Sequence, residues 1–338
     1  MKKILTIAIS VYNLEPFIGN TLNSLVSSKY LDALEILVVN DGSKDNSSNI
    51  IRQYEEKYPD SITLFDKENE GQGSTYNVTI QNATGIYYRV LDGDDWYDTN
   101  ILDRFIEFLK TTSSDAIATN MCANADGKNA YRLYNLETNN FSSHIEYGKE
   151  YLFNDVCLYA KNIDMHHMTI KTEIVKKIHI LQNVSGYSDL EYVIKIVPFI
   201  NTVTYLDYYV YQYRTGRPGQ AISGESQVRL LSMNKIVLHE MIDYYNTVEN
   251  QLSPEKKEYI IRRLAQCASV LCYIFLFYKK SSEGIRQFNI FDSELKQWNP
   301  TIYNRCNFIV KTLRKYPHVF FHFWSFFYRI YKRNKKFL

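Results

Sequence analysis

Hydrophobic positions in the first hundred residues fall into short runs, each followed by a polar break and then a helical period. Lys3 to Ser10 is a strand-like run that passes into Val11-Tyr12-Asn13 and a helical pattern through Ser28. Glu35 to Val39 is a second run, closed by Asn40-Asp41-Gly42-Ser43, with a helix opening near Asp45. Ile86 to Leu91 is a third, closed by Asp92-Gly93-Asp94-Asp95-Trp96, and Asp98 stands before Asn100-Ile101-Leu102 as a helix cap. Strand, polar loop and helix in alternation predict an α/β unit built on a parallel sheet. Ligands of such sheets bind at the carboxyl ends of the strands, so Tyr12, Asn13, Asp41, Asp92 and Asp94 are expected on one rim.

The carboxylates give that rim its chemistry. In a strand continuing past Leu91, Asp92 and Asp94 point the same way and can converge on one hard cation. Gly93 between them leaves room for a bulky ligand against the backbone. A divalent metal held by few carboxylates keeps positions open for phosphate oxygens, which suggests a metal-diphosphate site. Taken singly, the same residues also describe an acidic turn ahead of a helix, and Asp41-Gly42-Ser43 a turn led by Asp.

Taken together, Ser10-Val11-Tyr12-Asn13, the stretch Glu35 to Ser47, Asn69-Glu70-Gly71 with Asn77, and Leu91-Asp92-Gly93-Asp94-Asp95 resemble a family 2 glycosyltransferase of the GT-A type over roughly residues 1 to 120. The resemblance implies a nucleotide-binding mixed sheet flanked by helices, a nucleotide-diphosphate sugar donor, most often a UDP-sugar, and Mn2+ or Mg2+. Carried over by position, Val11, Tyr12, Asn13, Asn69 and Gly71 line the donor site. Asp41 accepts from the base, Asp92 with Gly93 faces ribose and metal, and Asp94 ligates the metal. The family commonly has Arg immediately before Asn77, where this chain has Tyr76, so another cation is expected near the donor charge.

Residues 121–165 are polar and lack a clean period, reading as loops over the site. His166-His167-Met168-Thr169-Ile170 reads as a strand ahead of a helix begun at Thr172, and adjacent strand residues face opposite ways, so the two histidines are not expected on one ion. Gly186 to Tyr192 opens a further helix, and the resemblance makes Asp189 the base of an inverting transfer, with Glu191 as substitute. Ser188-x-x-Glu191 also reads as a capping box. In Tyr211-Gln212-Tyr213-Arg214-Thr215-Gly216-Arg217, Arg214 or Arg217 is the expected replacement for the charge that Tyr76 lacks. The catalytic domain is thus expected over 1–223, with a donor half 1–120 and an acceptor half 121–223, followed by a helical region 224–338.

Net charge changes the picture at the C-terminal end. All 37 acidic residues lie at or before Glu294, against 29 basic ones, whereas ten basic residues and no acidic one follow it. Aromatic residues crowd the stretch Phe320 to Tyr331 within that basic tail. Rings beside Lys and Arg suit a membrane interface, so residues 316–338 are expected to touch a membrane surface. Core packing or homo-oligomer contacts remain open for the same stretch. Nucleic acid is not expected as a partner, because the acidic body repels phosphate. Leu264 to Tyr278 is apolar but, at about 15 residues, shorter than a bilayer span, and is expected to be a buried helix. Five cysteines without a CxxC pattern, and a start that runs straight into a strand, give the expectation of a cytoplasmic protein at the inner face of the membrane. The acceptor expected there is a carbohydrate or lipid-linked glycan, as in surface polysaccharide assembly. Two rivals are an inactive assembly scaffold and a sugar-1-phosphate nucleotidyltransferase; the second calls for a Gly-rich, Arg-containing loop, unlike Val11-Tyr12-Asn13-Leu14-Glu15.

Overall fold

A computed structural model describes residues 2–125, 131–137, 141–184, 186–216, 224–278 and 281–334. The chain divides into two compact units, Met1–Val184 with Ser188–Thr215, and Ser185–Tyr187 with Gly216–Leu338. The division falls at 215/216, ahead of the 223 expected from sequence.

Among the described residues the first unit holds ten strands: β1 (Leu5–Val11), β2 (Leu34–Asp41), β3 (Ile62–Lys67), β4 (Tyr87–Asp92), β5 (Trp96–Tyr97), β6 (Ala116–Ala125), β7 (Tyr131–Tyr134), β8 (Glu150–Leu152), β9 (Met168–Lys171) and β10 (Thr202–Thr215). They form one sheet in the order β3-β2-β1-β4-β9-β6-β10-β5, with β7 on β6 and β8 on β10. The donor half, β3-β2-β1-β4, is parallel, and β9 enters antiparallel between β4 and β6. β1 reads Leu-Thr-Ile-Ala-Ile-Ser-Val and is buried almost throughout, as a parallel strand covered on both faces must be. Helices α1 (Glu15–Val26), α2 (Ser47–Lys57), α3 (Gln72–Asn82) and α4 (Thr99–Leu109) supply the crossovers. Asp98 caps α4 as expected, accepting from the Ile101 N–H at 3.1 Å, and Leu102, Phe105, Ile106 and Leu109 form its buried stripe.

The described residues between 121 and 165 carry more secondary structure than their composition suggests. They include the end of β6, β7 and β8, and the short helices α5 (Phe141–His144) and α6 (Phe153–Val156). Beyond β9 come α7 (Thr172–Val175), which starts at the expected residue, and α8 (Ser188–Ile196). β10 pairs with β6 out of register between Leu206 and Tyr211, so residues 207–210 stand opposite Asn120 alone. The Asn120 side chain donates to Asp207 at 2.7 Å and pins this bulge.

The second unit is helical: α9 (Gly224–Val248), α10 (Pro254–Ile274), α11 (Ser281–Trp298), α12 (Pro300–Arg305), α13 (Phe308–Lys315) and α14 (Pro317–Asn334). The stretch Pro254–Phe277 is apolar and long enough to cross a membrane, yet 67% of its most apolar window is buried inside the protein. Ile260, Leu264, Ala268, Leu271 and Cys272 are packed away, in keeping with the buried helix expected there.

Candidate active site

The parallel register brings the three polar strand ends together. Val11 pairs with Asn40 and Ser10 with Asp92, so the ends of β1, β2 and β4 share one rim. Tyr12 projects from it, 50% exposed. Asn13 is held at φ 53°, its side-chain oxygen accepting the Lys44 N–H at 2.7 Å and its own N–H donating to Ser43 Oγ at 3.0 Å.

Asp41, Asn69 and Gly71 form one hydrogen-bonded unit. The buried Asp41 carboxylate accepts from Lys67 Nζ at 2.8 Å, from the Glu70 N–H at 3.0 Å and from the Gly71 N–H at 2.9 Å, while Asn69 donates to its carbonyl at 2.9 Å. The work of Asp41 within the chain is to fold the 67–71 loop. Gly71 lies at φ 83°, and a Cβ there would meet the Val184 carbonyl at 2.5 Å. One turn along, Asn77 accepts the Ile180 N–H at 2.9 Å and donates to the Ile180 carbonyl at 2.8 Å. Its amide imitates a strand partner and ties α3 to residues 178–184.

At the end of β4 the chain turns, the Asp95 N–H donating to the Asp92 carbonyl at 3.0 Å. Strand alternation therefore stops at Asp92, and the group brought together keeps the expected Asp92 but adds Asp95 and His166. Asp92, Asp95 and His166 offer ligand atoms within 4.8 Å of one another; Asp94 is not in that trio. The two carboxylates suit Mn2+ or Mg2+ by ligand type, while the imidazole is a ligand more usual for softer ions. Gly93 also differs from expectation. A Cβ there would lie 2.8 Å from both Leu14 Cδ1 and the Ser10 carbonyl, so the missing side chain makes room for β1 and its loop.

β10 clamps this turn. Tyr211 donates its hydroxyl to Asp95 at 2.7 Å and accepts the Asp92 N–H at 3.1 Å, and the Arg214 N–H donates to the other Asp95 oxygen at 2.7 Å. Arg214 Nε donates to the Asp94 carbonyl at 2.8 Å, with the guanidinium stacked over Phe17 and Trp96. Positive charge thus sits on the acidic turn, while Tyr76 is a fully buried phenol packed on Tyr192. Arg217 lies outside the described residues.

The histidines occupy a 3-10 turn, Met165–His167, ahead of β9, which begins at Met168 and not at His166 as expected. Their rings diverge. His166 donates to Asp92 Oδ2 at 3.2 Å, whereas His167 donates from Nδ1 to the Thr119 carbonyl at 2.7 Å. Burial pulls His167 down to about 4. Burial also opposes charge on His166, but the hydrogen bond and charge of Asp92, with Asp189 and Asp95, raise it to about 9. Asp95 is pushed up to about 8, first by burial and then by the charges of Asp92 and Asp94. Arg89, fully buried on β4, donates to Thr169 at 3.0 Å, Thr119 at 2.9 Å and the His166 carbonyl at 2.6 Å.

Asp189 opens α8, partly buried, near enough to His166 and Asp92 for their charges to act on it. Burial raises its pKa above the usual carboxylate range. Glu191 is placed differently from the substitute base expected. It is fully buried, paired with Lys195 at 2.7 Å, and accepts the Leu181 N–H at 3.0 Å. That carboxylate anchors the 178–184 loop.

Asp95, Tyr211 and Arg89 escaped the sequence reading. Each left a signal: a third carboxylate in the acidic turn, a Tyr-x-Tyr alternation before Arg214, and one cation inside an otherwise apolar strand.

Comparison with known proteins agrees with this geometry. The profile of Glycosyl transferase family 2 matches residues 6–178, and the chain belongs to that family. It is 35% identical over 108 residues to an uncharacterized glycosyltransferase of Nostoc sp. (strain PCC 7120), covering 32% of this chain and 33% of the relative. It is 30% identical over 139 residues to the uncharacterized glycosyltransferase EpsJ of Bacillus subtilis, covering 41% and 40% of the two chains. These matches span less than half the length of either relative. The fold is similar to that of S. aureus TarS residues 1–349 solved in complex with UDP-GlcNAc, with a TM-score of 0.68 and 17% identity over 98% of this chain and 92% of that one. The likeness defines a GT-A fold followed by a helical region.

Proposed function

We propose that this chain is a metal-dependent, inverting glycosyltransferase that moves a sugar from a nucleotide-diphosphate donor onto a carbohydrate hydroxyl. The observation that carries the reading is the convergence of Asp92, Asp95 and His166 at the end of β4, with Asp189 near enough to His166 and Asp92 for their charges to act on it. Family membership and the UDP-GlcNAc complex of TarS support a UDP-sugar as donor. A carbohydrate or lipid-linked glycan acceptor in surface polysaccharide assembly fits the same reading.

Each residue takes a role from its surroundings. Tyr12 and Asn13 present the β1 rim to the nucleoside, beside the loop that Asp41 folds through Asn69 and Gly71. Asp92 and Asp95, with Asp94 in the same turn, would hold Mn2+ or Mg2+, which when bound neutralises charge on the departing diphosphate. Arg214 adds a fixed cation at that turn. Asp189 accepts the proton of the attacking hydroxyl; a buried carboxylate with raised proton affinity is better matched to that task than an exposed one.

The test is nucleotide release from a panel of UDP-, GDP- and dTDP-sugars with Mn2+ or Mg2+. Metal-dependent release from one donor, lost in Asp92→Ala and in Asp94→Ala, supports the assignment. Release that survives both substitutions refutes the metal site.

A further inference from the structure

Helix α14 is packed along one side and exposes large apolar side chains along another. Phe321 is 1% exposed, its ring 6.5 Å from that of Phe288. Gly284 of α11 lets it in, since a Cβ there would lie 2.8 Å from Phe321 Cζ. Trp324 Nε1 donates to Thr312 Oγ1 of α13 at 3.2 Å. Held by these contacts, the helix cannot roll to hide its other face, which carries Val319, Phe323 and Phe326 at 68%, 49% and 62% exposure. Their spacing of four and three residues places them on one stripe. Large apolar side chains in a row on a surface mark a contact site.

Charge selects the occupant. Lys311 and Lys315 of α13 are exposed, and all ten charged residues after Glu294 are basic. A second copy of the chain would set one such tail against another, so self-association through this face is opposed by like charge. Nucleic acid would answer the cations but leave the apolar stripe in water. A bilayer containing anionic lipid answers both, rings entering among the headgroups while cations meet lipid phosphate. The 18 residues of α14 extend about 27 Å and include Arg329, Lys332 and Arg333, so the helix suits lying on a membrane and not crossing it.

We infer that the Val319-Phe323-Phe326 face of α14, together with the exposed Lys311 and Lys315 of α13, docks this protein onto anionic phospholipid. The inference does not depend on the donor or on turnover, because vesicle binding is read without either.

The experiment is cosedimentation of the full chain with vesicles of equal parts phosphatidylglycerol and phosphatidylcholine, and with phosphatidylcholine alone. Binding is expected on the first, at least about tenfold weaker on the second, and weakened by salt. Phe323→Ser with Phe326→Ser is expected to lower it about tenfold or more. Lys311→Glu with Lys315→Glu, at exposed positions, is expected to reduce anionic binding without moving the melting temperature. Equal sedimentation with both vesicle types, or with neither, overturns the inference. So does wild-type binding by the Phe double variant, or single-stranded RNA binding as tight as vesicle binding and insensitive to it. A dimer in sedimentation velocity that this variant abolishes, without vesicle binding, gives the face to a second copy.

Discussion

Tyr211 and Asp95 are joined by a 2.7 Å hydrogen bond from phenol to carboxylate, and the same hydroxyl accepts the Asp92 N–H. A residue on β10 thereby holds both ends of the turn that forms the candidate metal site. Tyr211→Phe keeps the ring packing on Tyr97 and His166 but leaves two buried groups a partner short. Stability is expected to fall by about 1–3 kcal/mol in urea unfolding. Nucleotide release should drop about tenfold to a hundredfold, as for other residues that orient metal ligands. An unchanged rate would remove Tyr211 from the account.

Asn77 links α3 to the segment that leads into α8. Asn77→Ala deletes both bonds to Ile180 and exposes two backbone groups, so residues 178–184 should exchange amide hydrogens faster by about tenfold or more. Asp189 lies just beyond this segment, and the turnover number should fall while donor affinity changes less. Slow exchange in the variant would show that the α8 contacts, Glu191 on Leu181 and Lys195 on the His179 carbonyl, suffice alone.

Gly73 has no room for a side chain. A Cβ would stand 2.1 Å from the Leu181 carbonyl oxygen, so Gly73→Ala must push α3 and the 178–184 loop apart. The expected cost is about 1–3 kcal/mol, measured by denaturant unfolding, with donor binding weakened as well. Gly19→Ala is the control, because its nearest neighbour would be Tyr54 Oη at 4.0 Å, and helix propensity predicts a small gain.

Above about pH 6.5 the metal-free protein should lose stability as pH rises; between about pH 4 and 6.5 the loss at Asp95 is offset by buried His167, lowered to about 4. Asp95 moves from its ordinary 3.8 up to about 8, and His166 from 6.5 up to about 9, so the folded chain holds protons that the unfolded chain has released. Their contribution is fully present below the unfolded values, declines from about pH 4 for Asp95 and about pH 6.5 for His166, and is gone above about pH 9. A cation bound there displaces those protons, so Mn2+ affinity should rise across the same window and its binding should release protons into buffer. Calorimetry in buffers of different ionisation enthalpy measures this. Zero proton release near neutral pH would contradict the trio as the binding site.

Much of the donor half was legible because its information is local. Apolar runs closed by Asn13, Asp41 and Asp92 mark parallel strand ends, and Asp98 before a helical period marks a cap; each depends on neighbours within a few residues. Asp95 against Tyr211 spans 116 positions and depends on a bulge in β10 whose only trace is Asn120 facing four residues. The 3-10 turn at Met165–His167 is too short to impose a period, and it is what separates the two histidine rings. Glu191 reads as a cap or a base from its place in a helix; only the burial of Lys195 beside it makes it a structural anchor. Gly93 carries the same lesson, since the sequence shows that space is needed there and not which atoms fill it.

The central claim is that one site binds the donor through the acidic turn and transfers its sugar through Asp189. Metal-dependent UDP-sugar binding and transfer, measured side by side for the wild type, Asp92→Ala and Asp189→Asn, tests it most directly. Asp92→Ala is expected to lose metal-dependent binding. Asp189→Asn should bind donor within about threefold of the wild type yet transfer at least about a hundredfold more slowly. Transfer at the wild-type rate by Asp189→Asn, or Mn2+-dependent donor binding retained by Asp92→Ala, would contradict it.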